Sequence, residues 1–515
     1  MTDSSPSSDT SAVVLASADE MRGRARRRGK LKGRQPEPQA LAEVQQLIGA
    51  GPHRRDLLIE HLHRINDQWH GLHERHLVAL ARLMNLPMAE VYEVATFYHH
   101  FEVLRDDAQP AAITVRVCDS LSCSLAGAND LLQRLPQLLG TEVRVVPTPC
   151  VGRCEQAPVA VVGQWPVAHA TPDAVRESVA NRRLQHPLPA DDADFDLAAE
   201  GPQAVTNGSG EVTPAYVGYD AYRARGGYAL AAAVASGQRS AEEVIKALSD
   251  SGLRGLGGAG FPAGRKWGIV RSYPAPRLMA VNIDEGEPGT FKDRTYLERD
   301  PHRFLEGVLI AAQVVGISTC YLYLRDEYHG GRAVLEREIA RLQADPPCAL
   351  PHIELRRGAG AYICGEESAM IESIEGKRGE PRMRPPYIAE IGLFGRPTLE
   401  HNFETLYWVR DIVERGAAWF SSFGLNGRKG LRSFSVSGRV KSPGVKLAPA
   451  GITLKELVDT YCGGMLDGHT LYAYLPGGAS GGILPARLAD VPLDFDTLQP
   501  HGCFIGSAAI IVLSH

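Results

Sequence analysis

The run RGAGAYICGEESAMIESIEGKRGEPRMRPP, from Arg357 to Pro386, constrains the fold more than any other stretch. Its glycines at 358, 360 and 365 let a backbone approach a flat or anionic ligand and adopt positive φ. Glu366 and Glu367 then open a segment of helical period, continued by Met370, Ile371 and Ile374. A helix N-terminus offers unpaired N–H groups and partial positive charge, which suit a phosphate or a ring carbonyl. Lys377, Arg378, Arg382 and Arg384 follow, the last beside the rigid pair Pro385-Pro386. Glycines, acids, an aromatic and then cations describe a pocket for a nucleotide and a flat redox ring. Taken alone, the run fits a glycine-rich turn before a surface helix equally well.

Two earlier runs separate those alternatives. SGLRGLGGAGFPAGRKW, Ser251 to Trp267, carries Gly252, Gly255, Gly257, Gly258, Gly260 and Gly264, then Lys266. No Lys-Ser or Lys-Thr pair closes it as in a P-loop, and no βαβ frame makes it a dinucleotide fingerprint. VNIDEGEPGTFKDR, Val281 to Arg294, offers Asn282 and Asp284 to a flavin edge or ribityl chain, and Glu285 and Glu287 to ribose hydroxyls.

The three runs closely resemble the NADH- and FMN-binding subunit of respiratory complex I and of its soluble diaphorase relatives. The family pattern is similar to GRGGAGFP…K, N-x-DEGEPGTFKDR, GAGAYICGEE, EGKRG-x-PR and NN-x-ETL, and all five occur here in order. The resemblance implies hydride exchange between NAD(H) and FMN. It places FMN against Gly255, Gly257, Lys266, Asn282, Asp284, Tyr362, Gly365, Glu366, Asn402 and Thr405. It places NAD(H) against Gly258, Phe261, Glu285, Glu287, Glu367, Arg384 and Tyr387, with Phe261 and Tyr387 stacked on adenine. Carboxylates bind ribose hydroxyls strongly and disfavour a 2′-phosphate, so NAD is expected over NADP. Glu285 and Glu367 are the candidate catalytic residues, although hydride transfer itself needs orientation more than a side-chain acid or base. Cys364 is read as a packing residue. Four positions depart from the pattern: Leu256 replaces an arginine, Arg384 a lysine, Tyr387 a phenylalanine, and His401 the first asparagine of the NN pair.

Of nine cysteines, four form two pairs. Cys118 and Cys123 enclose four residues and follow the strand-like run Ile113 to Val117; Cys150 and Cys154 enclose three and follow Glu142 to Val146. Four thiolates from two loops suit zinc or a 2Fe–2S cluster. The spacing CDSLSC…CVGRC resembles the thioredoxin-like 2Fe–2S ferredoxin domain, which implies a cluster on Cys118, Cys123, Cys150 and Cys154. A metal site without a disulfide framework fits a reducing compartment, so a cytoplasmic location is expected.

The expected fold class is multidomain α/β: a helical bundle and thioredoxin-like ferredoxin domain, then a complex I 51-kDa-type FMN- and NAD-binding domain and a β-grasp domain. Residues 1–35 are expected as a flexible basic arm, with a docking arm or a transit peptide as alternatives. Residues 36–105 are assigned to a helical bundle whose histidines are surface or core residues, not ligands. Residues 110–185 follow as the ferredoxin domain, 186–213 as a linker, 214–428 as the flavin domain and 429–515 as a β-grasp (SLBB-type) domain with a following strand. Single helices are expected over Tyr219 to Val234 and Leu454 to Tyr461. A net charge of −5 makes no case for nucleic acid, and no apolar run reaches membrane-spanning length. Related subunits continue into a bundle with a Cys-x-x-Cys-x-x-Cys 4Fe–4S motif. Cysteines 320, 348, 364, 462 and 503 are too dispersed to supply it, so the chain is expected to be a fragment.

The segments LRGLGGAGFP, YLRDEYHGGR, SVSGRVKSPGVKLAPAG, LPGGASGGILPA and GCFIGSAAIIVLS resemble most the β subunit of NAD-dependent, molybdenum- or tungsten-containing formate dehydrogenase. That resemblance implies an α-subunit partner with a metal pterin and iron–sulfur clusters. The diaphorase subunit of an NAD-reducing hydrogenase, a complex I-type subunit and a non-catalytic scaffold are the alternatives.

Overall fold

The computed structural model describes residues 33–197, 201–206 and 211–515. Most of the basic arm expected at 1–35 lies outside them. Helices Pro38–Ile48 (α1), Leu58–Trp69 (α2), Glu74–Met84 (α3) and Met88–Phe97 (α4) form the first layer. Their apolar residues recur at helical spacing, as with Ala40, Val44 and Ile48 on α1, and are buried.

A four-stranded sheet follows. Ile113–Cys118 (β1) pairs in parallel with Val143–Thr148 (β2) and antiparallel with Ala160–Val162 (β3), which turns at Gly163 into Trp165–Val167 (β4). Ala128–Leu139 (α5) and Pro172–Ala180 (α6) cover it, around a core that includes Val115, Val117, Leu131 and Leu135. The stretch expected as a linker is held along its described length. Asp191 accepts from Arg337 and Arg341, Asp196 pairs with Arg303, and the short strand Gln203–Ala204 joins a later sheet. The single helix expected over Tyr219 to Val234 is two helices, Tyr219–Ala224 and Ala229–Ala235. Gly226 and Tyr228 take positive φ between them, which no helix accommodates.

The flavin-domain elements are Ala241–Ser251 (α7), Ala263–Ser272 (α8), Arg277–Ile283 (β5), Lys292–Leu297 (α9), Pro301–Val315 (α10), Ile317–Leu324 (β6), His352–Arg357 (β7), Glu367–Ile374 (α11) and Thr398–Asn402 (β8). The sheet runs β7-β6-β5-β8 and is parallel throughout. Parallel strands are covered on both faces and read as continuous apolar runs. The two covers here come from opposite ends of the chain. Met279, Val281 and Ile283 of β5 pack with α10, whereas Leu278 and Ala280 share a core with α1–α4. On β6, Cys320, Leu322 and Leu324 face the first core, and Tyr321 and Tyr323 the second. The strand period of two divides the side chains between those covers.

The last unit is a six-stranded sheet. Leu431–Gly438 (β9) lies between Gly444–Pro449 (β10) and the parallel Ala509–Ser514 (β13); Leu471–Leu475 (β11) and Leu484–Pro485 (β12) extend one side, and Gln203–Ala204 the other. The helix expected from Leu454 to Tyr461 is a short α-turn, Leu454–Glu456, continued by π-helical Leu457–Tyr461. No described helix is long and apolar enough to cross a membrane.

Candidate functional site

The C-terminal ends of β5, β7 and β8 and the loop between α7 and α8 converge on two adjoining clefts of about 250 and 580 Å³. Strand ends are where an open parallel sheet offers loops to a ligand. The α7–α8 loop is fixed by Gly255 N–H donating to Phe261 O (2.8 Å) and by Leu256 N–H donating to Thr405 Oγ1 (2.9 Å). Gly258 has φ of 143°, and a Cβ there would meet nothing within 4 Å, so its open side is the cleft. A Cβ on Gly257 would come within 2.9 Å of Asn402 Cβ.

Asn282 ties two motifs together: its Oδ1 accepts from Asp284 N–H (3.0 Å) and its Nδ2 donates to Gly365 O (2.9 Å). Asp284 Oδ2 is buried against the cleft with no hydrogen-bond partner. Burial raises its pKa to about 7, against the pull of Arg325. Glu285 accepts from Asp293 N–H (2.9 Å), Arg294 N–H (3.2 Å) and Tyr328 O–H (2.8 Å). Its carboxylate therefore holds the start of α9, and the ribose contact implied for it finds both oxygens engaged. Glu287 accepts from Tyr362 O–H (2.5 Å), Ser480 N–H (2.8 Å) and Ser480 O–H (2.7 Å).

Glu366 caps α11, accepting from Ser368 N–H (2.9 Å) and Ala369 N–H (3.0 Å), and pairs with Arg384. Arg384 also lies 2.9 Å from Glu367, whose pKa burial and Glu400 raise. Lys266 Nζ donates to Glu400 Oε2 (2.9 Å); burial opposes its charge, but Glu400 and Glu367 outweigh burial and keep its pKa above the usual lysine value. His401 is held neutral by burial and accepts from Trp267 Nε1–H (2.7 Å). Leu256 is buried, so no charge stands where the family pattern has an arginine.

The structure brings nearly all the expected cofactor residues to these clefts, each of which draws on both the FMN set and the NAD(H) set. Asp284, Glu285, Glu287 and Tyr362 line the smaller; Gly255, Phe261, Lys266, Glu367, Arg384 and Tyr387 line the larger. Gly257, Gly258, Asn282, Gly365, Glu366 and Asn402 form the shared seam. Thr405 lines neither: it is buried behind the glycine loop, bonded to Leu256 and Asn402. Gly477, Ser480, Phe504, Gly506 and Ser507 join the smaller cleft from the last sheet. In the sequence these residues fall in LPGGASGGILPA and GCFIGSAAIIVLS, of which only the glycine-rich character stands out.

Cys118, Cys123, Cys150 and Cys154 are buried and unpaired as disulfides. Cys150 Sγ lies 3.3 Å from Cys154 Sγ and accepts from Gly152 N–H (3.4 Å). Hydrogen bonds from the Cys118 and Cys154 thiols, with Arg325 close by, hold Cys150 well below the ordinary thiol range. A sulfur-only, buried donor set fits an iron–sulfur cluster, as the unpartnered Asp284 oxygen and the opening at Gly258 fit a polar flavin. Arg325 bridges the two places, donating to Cys150 O (2.6 Å) and Glu285 O (2.5 Å).

A four-sulfur centre joined through one arginine to a glycine-walled double cleft defines an iron–sulfur flavoprotein electron carrier. Comparison with known proteins agrees. The family model of the Nuo51 FMN-binding domain matches residues 248–411, that of the thioredoxin-like [2Fe-2S] ferredoxin 44–183, and that of the SLBB domain 433–484. An NADH-quinone oxidoreductase subunit of Rhizobium meliloti (strain 1021) is 42% identical over 301 residues, 57% of this chain and 71% of that protein. The mitochondrial NADH dehydrogenase [ubiquinone] flavoprotein 1 of Dictyostelium discoideum is 43% identical over 284 residues, 53% of this chain and 59% of that protein. Among solved structures, an NAD+-reducing [NiFe]-hydrogenase in the air-oxidized state superposes with a TM-score of 0.71 at 31% identity, over 89% of this chain and 77% of that one. The chain belongs to the family of NADH dehydrogenase flavoproteins that includes these NADH-quinone oxidoreductase subunits. It is an NAD-dependent oxidoreductase whose cofactors are FMN, NAD and a 2Fe–2S cluster.

Proposed function

We propose that this subunit passes electrons between NAD(H) and a partner carrying a molybdenum or tungsten pterin, so that formate oxidised in the partner reduces NAD+ here. The reading is supported by the succession of ferredoxin, flavin and SLBB units in one chain, with the segments YLRDEYHGGR and SVSGRVKSPGVKLAPAG. Bound FMN would supply exchange between the two-electron hydride and the one-electron cluster.

The residues orient and shield. Gly257 and Gly258 bring the backbone to the ligand without a side chain between. Asn282 and Asn402 present carboxamides at the seam, and Asp284, with its acid raised to about 7, can donate a proton in a hydrogen bond or accept one near neutrality. Phe261 and Tyr387, 36% and 62% exposed, are the aromatic faces left for adenine. Glu367 is the carboxylate for a ribose hydroxyl, which favours NAD over NADP, while Glu287 braces Tyr362 and Ser480 across the smaller cleft. Glu285 acts through α9 and Tyr328 as a positioning residue.

A second reading, the diaphorase of an NAD-reducing hydrogenase, is favoured by the 31% identity over 89% of the chain. The test is to purify the complex from its native host and supply NAD+ with either formate or H2. Formate-driven NADH formation by a complex containing molybdenum or tungsten supports the proposal. H2-driven reduction with nickel in the large subunit replaces it with the second reading.

A further inference from the structure

His63 on α2, His100 beyond α4 and Asp326 beyond β6 come from three segments and offer nitrogen or oxygen atoms all within 4.8 Å of one another. His63 and Asp326 are 2% and 4% exposed. His63 Nε2 lies 2.8 Å from the Gly358 carbonyl, so that nitrogen carries the proton and Nδ1 is left with a lone pair. Nδ1 is buried with no hydrogen-bond partner. A buried acceptor without a donor destabilises the fold unless something occupies it.

The other two groups are also anchored on their far sides. His100 Nε2 lies 3.3 Å from Asn66 Nδ2 while its Nδ1 faces Asp326 Oδ2 at 2.9 Å. Asp326 Oδ1 accepts from Arg357. A carbonyl, a carboxamide and a guanidinium thus already orient the three side chains from behind. Histidine and carboxylate metal ligands characteristically have such outer partners.

We infer that His63, His100 and Asp326 form a zinc site that fastens the helical bundle to the flavin domain. Zinc takes imidazole nitrogen and carboxylate oxygen at about 2.0–2.2 Å, so ligand atoms around it stand roughly 3.3 Å apart. Atoms no more than 4.8 Å apart reach that spacing by side-chain rotations of at most roughly 1.5 Å. On binding, His100 takes the tautomer with Nε2–H, which the Asn66 carboxamide accepts after turning over, and Nδ1 becomes a ligand. Water completes the fourth position from an adjoining cavity of about 470 Å³ that reaches both His100 and Asp326. The nearest opposing charges are partly offset: Arg357 also pairs with Asp67 (2.6 Å), while Arg332 stands 3.8 Å from Asp326.

The site bears directly on the cleft wall. His63 holds Gly358 O, and His100 N–H donates to Ala359 O (3.1 Å), at the start of the run that supplies Tyr362, Gly365 and Glu366.

The test uses the full chain with its flavin and iron in place, stripped by chelator and then given zinc. We expect one zinc per chain after removal of excess. Absorption at the zinc edge should report two imidazoles and oxygen neighbours, with no sulfur. His63→Gln and His100→Gln should weaken zinc retention at least about 100-fold while the iron content stays unchanged. No retained zinc, a sulfur shell, or equal retention by correctly loaded variants overturns the site. If both variants misfold, the zinc-edge spectrum of the native chain decides alone.

Discussion

The cysteine centre and the double cleft prepare for electron carriers in opposite ways. The centre takes its ligands from two short loops of one small sheet, buries them, and uses a single element, sulfur. The cleft draws on the α7–α8 loop, three strand ends and the last sheet, and stays open enough to admit ligands. A cluster needs fixed ligands and no traffic, whereas a nucleotide must enter and leave. The centre's spacing is local to two loops, although its second loop is held by Arg294 and Arg325 of the flavin domain, whereas the cleft's lining is itself drawn from distant segments.

The largest effect should come from the centre. Cys154→Ser is expected to abolish the cluster's iron and visible absorption while FMN stays bound, measured as iron and flavin content per chain. Loss of both cofactors together would mean that the two sites are built as one. Next comes the cleft's own backbone. Gly258→Val forces a β-branched residue to φ of 143° and fills the open side. Flavin affinity should fall by at least about tenfold, from roughly 1–3 kcal/mol of backbone strain, with iron unchanged.

These contrasts explain what the sequence revealed. The cysteine pairs were legible because each lies within one loop and its spacing is visible locally. The glycine and acid runs were legible for the same reason, and every expected cofactor residue reaches the clefts except Thr405. The partition between clefts was not legible. It depends on Asn282 meeting Gly365 across two strands and on Glu287 meeting Ser480, 193 residues away. His63 and His100 read as ordinary core residues because their carbonyl and carboxylate partners, Gly358 and Asp326, lie in the flavin domain. Tyr219 to Val234 has helical composition, but Gly226-Gly227 before a left-handed Tyr228 breaks it. That α1–α4 cover one face of the parallel sheet follows from tertiary packing, which no local period encodes.

A smaller effect sharpens the role of the last sheet. Glu287→Ala removes the acceptor of Tyr362 and Ser480. We expect KM for NADH to rise about tenfold, from roughly 1–2 kcal/mol of lost charged hydrogen bonding, with cluster spectra unchanged. An unchanged KM would leave the smaller cleft outside nucleotide binding.

The smallest is a pH effect on the flavin-free chain. Asp284 has a folded pKa of about 7, above its unfolded value, so its protonated form is favoured by folding. Its contribution is fully present below the unfolded pKa of ~3.9 and is lost as pH rises through about 7, at no more than about 1.4 kcal/mol per pH unit. Asp284→Asn should flatten that part of the stability profile in denaturant titrations. An identical slope in the variant would assign it to other groups.

The most direct measurement is an anaerobic titration of the purified chain with NADH, following flavin absorbance and the low-temperature EPR signal of the cluster together. The account predicts that NADH bleaches bound FMN and that a reduced 2Fe–2S signal appears in the same chain, lost in Cys154→Ser. A chain whose flavin does not respond to NADH, or whose cluster stays oxidised at a low potential the dinucleotide can reach, would contradict it.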